Sequence, residues 1–285
     1  GDDRVGVEEL QAYQAPSPGP LLAMWRFPFG RHLAVSQIGG EPAVVSVGAR
    51  NTLTLWDPTG SRPSRSFPGH TGLVWAAAVG WIGQAPVLVS GGGDSTVRVW
   101  NVTGDEPPIV LTGHVDTVRA VAVGTLWRGP VAVSGGDDRT VRVWDLTGQQ
   151  PPVVLQGHPG VVAAVAVGSI DGNDVVASGA ADQTVRVWDP TGGRSPRVLK
   201  GHGAPIWGVT VGVLDQVPVV VSGAADDTVR VWDGRSGKTL AVHHAGREVV
   251  ACAFAPDPDG PPGTARILKL ERPVTFSGNP WASLA

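Results

Sequence analysis

One cysteine, one methionine and one tyrosine stand among 285 residues. A single thiol, Cys252, excludes an intrachain disulfide framework and a cysteine-rich metal site. It sits in an apolar run, Val249 to Phe254, which favours a buried structural thiol over a reactive one. Long hydrophobic runs are missing too: no stretch reaches the ~18 apolar residues that suggest a membrane-spanning helix. The N-terminus, Gly1-Asp2-Asp3, lacks the basic and apolar regions of a signal peptide. Cytoplasmic residence is the resulting expectation, although without an initiator Met an original targeting segment would be invisible. Neither sign of charge dominates, with 22 Lys and Arg against 25 Asp and Glu and a net charge of −3. This balance gives no reason to expect nucleic acid or an anionic membrane as a partner.

Glycine and proline are abundant instead, at 40 and 25 residues. Such a composition approaches that of disordered chains, but many of these residues recur at fixed positions, which marks them as turn chemistry. The frame is a 44-residue ladder: Trp56-Asp57, Trp100-Asn101 (one lapse), Trp144-Asp145, Trp188-Asp189 and Trp232-Asp233. A second ladder runs in phase with it: Gly69-His70, Gly113-His114, Gly157-His158 and Gly201-His202. Each copy is one supersecondary unit unable to bury its apolar faces alone, so copies must stack.

Within residues 70–113 the pattern predicts four short strands: Val74 to Val79, Pro86 to Val89, Thr96 to Trp100 and Ile109 to Leu111. The break from Ser90 to Ser95 supplies residues tolerant of positive φ for a hairpin. Gly91-Gly92-Gly93 is not read as a phosphate loop, since no helix follows and the same slot reads Gly179-Ala180-Ala181 in a later copy.

Gly-His, an Asp 24 residues after the His, and Trp-Asp six residues beyond that Asp together resemble the WD-repeat (WD40) β-propeller family over roughly residues 19 to 277. The resemblance implies an all-β fold of four-stranded antiparallel blades. It also implies a hydrogen-bonded tetrad in each full copy: His70, Ser90, Asp94 and Trp100; His114, Ser134, Asp138 and Trp144; His158, Ser178, Asp182 and Trp188; His202, Ser222, Asp226 and Trp232. A buried Asp needs donors, and His N–H and the Ser hydroxyl are expected to supply them. Repeated His, Asp and Ser could also suggest catalytic triads or a metal array. Four interchangeable sites argue against an enzyme, so no catalytic residue, metal or cofactor is expected.

Projecting the frame backward gives a first blade that keeps Ser46 and Trp56 but carries Arg26 and Arg50 in the His and Asp slots. Projecting forward puts Gly246, Arg266, Leu270 and Phe276 in the tetrad slots of a last blade. Residues 19–25 then align with an outermost strand that lacks a blade, while the last blade runs out of chain where its own should begin. Six blades are expected, with this N-terminal strand closing the last one. A fragment of a seven-bladed parent is the alternative. On this reading residues 1–18 flank a single propeller over 19–285.

The family resemblance further implies a binding face where the Asp-bearing hairpins lie. The slot five residues after the His holds Arg31, Trp75, Arg119, Ala163, Trp207 and Ala251; the residue before the tetrad Asp is Gly93, Asp137, Ala181 or Ala225. Arg31, Trp75, Arg119, Asp137 and Trp207 are therefore the candidate partner contacts, since most of these slots are small or apolar and Trp and Arg are types enriched at interface hot spots; the two indoles could equally plug the channel mouth. Trp81 and Trp127 are placed in loops on the opposite face. Arg98, Arg142, Arg186 and Arg230 read as solvated cations on packed stems, and His243-His244 should point to opposite faces of an outer strand. The preferred function is a non-catalytic scaffold, a monomeric ring binding a protein or peptide. A sensory module of a larger chain is the second reading and a propeller enzyme or lectin the third. The Ala-, Val-, Gly- and Arg-rich vocabulary resembles that of a GC-rich bacterial genome.

Overall fold

A computed structural model describes residues 23–26, 32–38, 41–47, 51–60, 63–126, 129–214, 216–256 and 265–271. Among them the chain forms antiparallel sheets only, in sequence order. The first contains β1 (Ala23–Arg26), β2 (His32–Ile38), β3 (Glu41–Val47), β4 (Leu53–Trp56) and β5 (Arg65–Phe67). The second contains β6 (Val74–Ile82), β7 (Ala85–Gly92), β8 (Val97–Asn101) and β9 (Ile109–Leu111), and the third β10 (Val118–Leu126), β11 (Gly129–Gly136), β12 (Thr140–Asp145) and β13 (Val153–Gln156). The fourth has β14 (Val162–Ile170), β15 (Asn173–Ala180), β16 (Thr184–Trp188) and β17 (Arg197–Lys200); the fifth has β18 (Ile206–Leu214), β19 (Val217–Ala224), β20 (Thr228–Asp233) and β21 (Thr239–His244). A two-stranded sheet of β22 (Val249–Pro256) and β23 (Ala265–Glu271) ends the described chain. Five sheets thus contain the four-strand meander that the repeat predicts, an arrangement consistent with a β-propeller. No helix among the described residues is long and apolar enough to cross a membrane.

Packing follows from the alternation of Val and Ala. The opening strands pack in sequence, β2 on β6, β6 on β10, β10 on β14, β14 on β18 and β18 on β22. Between sheets, each ladder Trp fills the junction with the preceding sheet: Trp100 beside Val45 and Phe67, Trp144 beside Val89 and Val97, Trp188 beside Val133 and Val141, Trp232 beside Ala177 and Val185. All four are nearly inaccessible, whereas Trp56 is 47% exposed. Close approach of sheets also explains part of the glycine run. A Cβ on Gly91 would stand 2.5 Å from Val118 Cγ1 of the next sheet. The hairpin's positive φ falls on Ser95 instead, at 62°, and on Arg139, Gln183 and Asp227 in the later copies. Ser95 N–H donates to the Gly92 carbonyl, closing a tight turn whose last residue is left-handed.

Three expectations are corrected. β1 pairs antiparallel with β2, from Ala23 opposite Val35 to Arg26 opposite His32, rather than with the outer edge of the last sheet. It lies against β22, so it sits between the first and last sheets on their inner side. A five-residue connection makes this local hairpin the short-range solution, as sequential strands tend to pair. Trp81 belongs to β6, opposite Pro86, rather than to a loop. In the last sheet the frame slips. Val249 and Cys252 face Gly223 as Val118 and Val121 face Gly91, so Val250, not Ala251, takes the five-after-His slot. Lys269, opposite Cys252, takes the Ser slot in place of Arg266. Arg31, Trp127, Arg50 and Phe276 lie outside the described residues.

Candidate functional site

Each full repeat closes on the same relay. In the second sheet His70 Nδ1 lies 2.9 Å from Asp94 Oδ1, its Nε2 lies 2.8 Å from Ser90 Oγ, and Trp100 Nε1–H donates to that Oγ at 2.9 Å. The corresponding distances are 2.7, 2.7 and 2.8 Å for His114, Asp138, Ser134 and Trp144. They are 2.8, 2.8 and 2.7 Å for His158, Asp182, Ser178 and Trp188. For His202, Asp226, Ser222 and Trp232 they are 2.9, 2.8 and 2.8 Å. Burial lowers the pKa of all four histidines despite the facing carboxylates, so the rings are neutral. A neutral ring whose Nδ1–H donates to Asp must accept at Nε2, so the Ser hydroxyl donates to His and in turn accepts from Trp.

This corrects the expected role of Ser, which donates to His and not to Asp. The missing donor is a fifth residue, the Thr two positions after each Asp. Thr96, Thr140, Thr184 and Thr228 hydroxyls donate to their Asp at 2.8, 2.9, 2.8 and 2.7 Å, and their backbone N–H groups donate to the same oxygen. Burial pushes Asp94 up, but the Thr71 N–H, the Thr96 hydroxyl and His70 together outweigh it and hold the carboxyl at about 2. An invariant Asp-x-Thr in four copies was the available sequence clue. An Asp- or Asn-x-Thr motif also follows four of the five ladder Trp residues, Trp232 being followed by Asp233-Gly234-Arg235, and there it has another purpose. Asp57 Oδ1 accepts from the N–H and hydroxyl of Thr59 at 2.8 and 2.6 Å, and Asn101 Oδ1 does so for Thr103 at 2.9 and 3.0 Å. The Asn lapse therefore preserves the turn, since only an acceptor oxygen is needed.

The glycine before each His follows from the same packing. At Gly69, φ is 157° and a Cβ would meet Arg98 Nη1 at 2.9 Å and the Trp100 ring at 3.0 Å. Sister arginines reach back over their own Trp: Arg142, Arg186 and Arg230 place Cζ 5.9, 5.8 and 5.8 Å from the ring centroids of Trp144, Trp188 and Trp232. Their Nε atoms are buried. These guanidinium groups are packed rather than solvated, because the glycine leaves them room over an electron-rich face. In the first sheet only the Trp56-to-Ser46 bond of the tetrad remains described, at 2.6 Å.

At the hairpin end the sequence candidates converge in part. The register of each opening strand skips one residue, between Val74 and Ala76, Val118 and Ala120, Val162 and Ala164, and Ile206 and Gly208. Trp75, Arg119, Ala163 and Trp207 are those skipped residues, each turned out of the ladder by a β-bulge. The structure brings three candidates together. Arg119 stacks its guanidinium 4.1 Å from the Trp75 ring centre and donates to both Asp137 oxygens, Nε at 2.7 Å and Nη2 at 2.6 Å. Its side chain is 21% exposed and that of Asp137 17%. Leu73 and Val115, on neighbouring loops of this end, are exposed. Trp207 stands half-buried on the fifth sheet. His243 and His244 are both exposed on β21. The Cys252 thiol faces Gly223, and burial pushes it up to about 12. Among the described residues no three His, Cys, Asp or Glu side chains converge to hold a metal.

Among curated proteins, none matches the chain. The family model described as WD domain, G-beta repeat matches residues 61–101, 105–145, 149–189 and 193–233, more than half of the sequence. Its four copies coincide with the four complete relays, and the chain belongs to the WD-repeat (G-beta repeat) family.

Proposed function

We propose that this chain is a non-catalytic interaction scaffold, a six-bladed monomeric ring over residues 19–285, cytoplasmic and preceded by a flanking segment 1–18. It engages a protein or peptide at the end of the sheets that carries the Asp hairpins. WD repeats are in general protein-interaction modules, and their proteins are typically non-enzymatic scaffolds. One observation carries the choice of face: Trp75, Arg119 and Asp137, from two adjacent sheets, are locked into one partly exposed cluster. Ordering these rotamers in the free protein removes part of the entropy cost of binding. Trp and Arg are also the residue types that dominate interface energies. Exposed Leu73 and Val115 add apolar surface beside the cluster. The buried His–Asp pairs contribute no reactive group, because the bonds of each are used within its own sheet.

The test compares the native ring with a Trp75→Ala/Arg119→Ala variant in affinity capture and crosslinking from cells of the source organism. The bulge side chains pack outside the ladder, so far-UV circular dichroism and melting should stay close to native. Loss of the captured proteins with the fold intact is the expected result. Retention of the same proteins at the same yield assigns binding to another face.

A further inference from the structure

At the opposite end of the sheets, successive sheets meet at junctions built from equivalent residues, and these junctions are finished in different ways. At the first, Arg65 of β5 crosses to the second sheet and donates from Nη1 to the Val102 carbonyl at 2.5 Å and from Nη2 to the Gly104 carbonyl. At the fourth, Arg197 of β17 crosses to the fifth sheet and donates to the Gly234 carbonyl. These arginines are equivalent by the repeat frame, as are Val102 and Gly234. The second junction has Ile109 in the Arg slot, and Leu146 in the carbonyl slot packs beside Ile82 and Leu111. The third has Val153 and Pro190 in the two slots. Both are short, and a pocket remains, lined by Leu126, Val131, Val143, Val153 and Pro190, with Asp145 in its wall.

We propose that the pocket between the third and fourth sheets receives an arginine side chain from a partner protein. The occupant follows from the sister junctions, where the chain's own Arg65 and Arg197 fill the corresponding space. An arginine stem suits the Leu126, Val131 and Val143 walls, and its guanidinium would donate to the Pro190 carbonyl, which holds the place of the Val102 and Gly234 carbonyls. Asp145 supplies a carboxylate in the pocket wall, in the slot that Asp57 and Asp189 hold at the two arginine-filled junctions. Burial pushes this carboxyl up, but the Thr147 hydroxyl and the Thr147, Gln149 and Gln150 N–H groups together outweigh it and lower its pKa, so the group is charged. Planar guanidinium with five donors matches a carbonyl and a carboxylate together better than an ammonium does. The site lies at the far ends of β10–β12 from Arg119 and is independent of the proposed binding face.

Methyl NMR of the full chain tests this, following Leu126, Val131, Val143 and Val153 during titration with the blocked tripeptide Gly-Arg-Gly. The same peptide with citrulline or leucine in the middle serves for comparison. Saturable shifts at these methyls are expected, with half-saturation at least tenfold lower for arginine than for citrulline or leucine. Val153→Arg, which copies the first and fourth junctions, should abolish the shifts. Pro190→Leu, which copies the second, should do the same and covers the case where Val153→Arg fails to fold. Equal or tighter binding of the leucine peptide would identify an apolar occupant and overturn the proposal. So would the absence of shifts at these methyls, or shifts that persist in a folded filling variant.

Discussion

His114 donates its Nδ1–H to Asp138 and accepts the Ser134 hydroxyl at Nε2, so a single tautomer is fixed inside the sheet. Removing the carboxylate leaves the His N–H, the Thr140 hydroxyl and the Thr140 N–H without their acceptor. Asp138→Ala should therefore lower stability by about 1–3 kcal/mol, and Thr140→Val by about 1 kcal/mol. Lys200→Ala, at an exposed end of β17, should change the urea midpoint little, and the three midpoints measured together check the ranking. Acid acts on the same groups. Both the imidazoles and the tetrad carboxyls have folded-state pKa values below their ordinary ones. The unfolded chain thus binds more protons, and stability must fall with falling pH. The histidine contribution is fully present above about pH 6.5 and is lost as pH falls toward the lowered folded values; the carboxylate contribution follows below about pH 4. Melting curves at pH 7, 6 and 5 should show a falling midpoint, and His114→Gln should flatten that slope. A midpoint constant over this range would mean that the folded and unfolded rings take up protons alike, so that burial does not lower the histidine pKa values.

At the scale of the strand, the sheets differ in how much holds them. The second to fifth sheets each carry a complete relay, while the β22–β23 pair has Lys269 where a relay serine would stand. Regions with fewer such contacts open first. Amides of Val249 to Phe254 should exchange with deuterium faster than those of Val141 to Trp144, and the reverse order would place the stronger tie at the end of the chain. The strands of the full repeats were legible in the sequence, because Val-rich alternation and the paired ladders fix period and register at once. The relay residues were legible as positions but not as a bonding pattern, since the partner of the Ser hydroxyl depends on the histidine tautomer. The Arg142 series was misread because its apparent exposure ignored the glycine that makes room over the neighbouring indole. In the last sheet a fixed frame could not follow a shift of one residue in β22 and of three in β23, and no ladder dipeptide survives there to reveal it.

For the whole molecule, the position of β1 sets how the two ends of the described chain meet. β1 extends the first sheet inward and lies against β22. Deleting residues 1–26 should free the inner edge of β2, broaden the thermal transition and promote self-association through the unpaired edge. Analytical ultracentrifugation and calorimetry of the truncated chain check both effects; a monomer with unchanged melting would show that the remaining sheets close without that strand. The interaction reading and the arginine pocket lie at opposite ends of the sheets, so Trp75→Ala/Arg119→Ala should leave the pocket titration unchanged.

The β-bulge that turns residues 75, 119, 163 and 207 out of the ladder has a consequence for variation. Val74, Val118, Val162 and Ile206 beside them are wholly buried or nearly so, yet the bulged slots themselves hold Trp, Arg, Ala and Trp. A combinatorial library at the half-buried slots 75, 119 and 207 would therefore alter the chemistry of one face, whereas the slot of Ala163 is itself buried. The repeat array would behave as a display platform whose addresses are already evenly spaced along the chain, one per 44 residues.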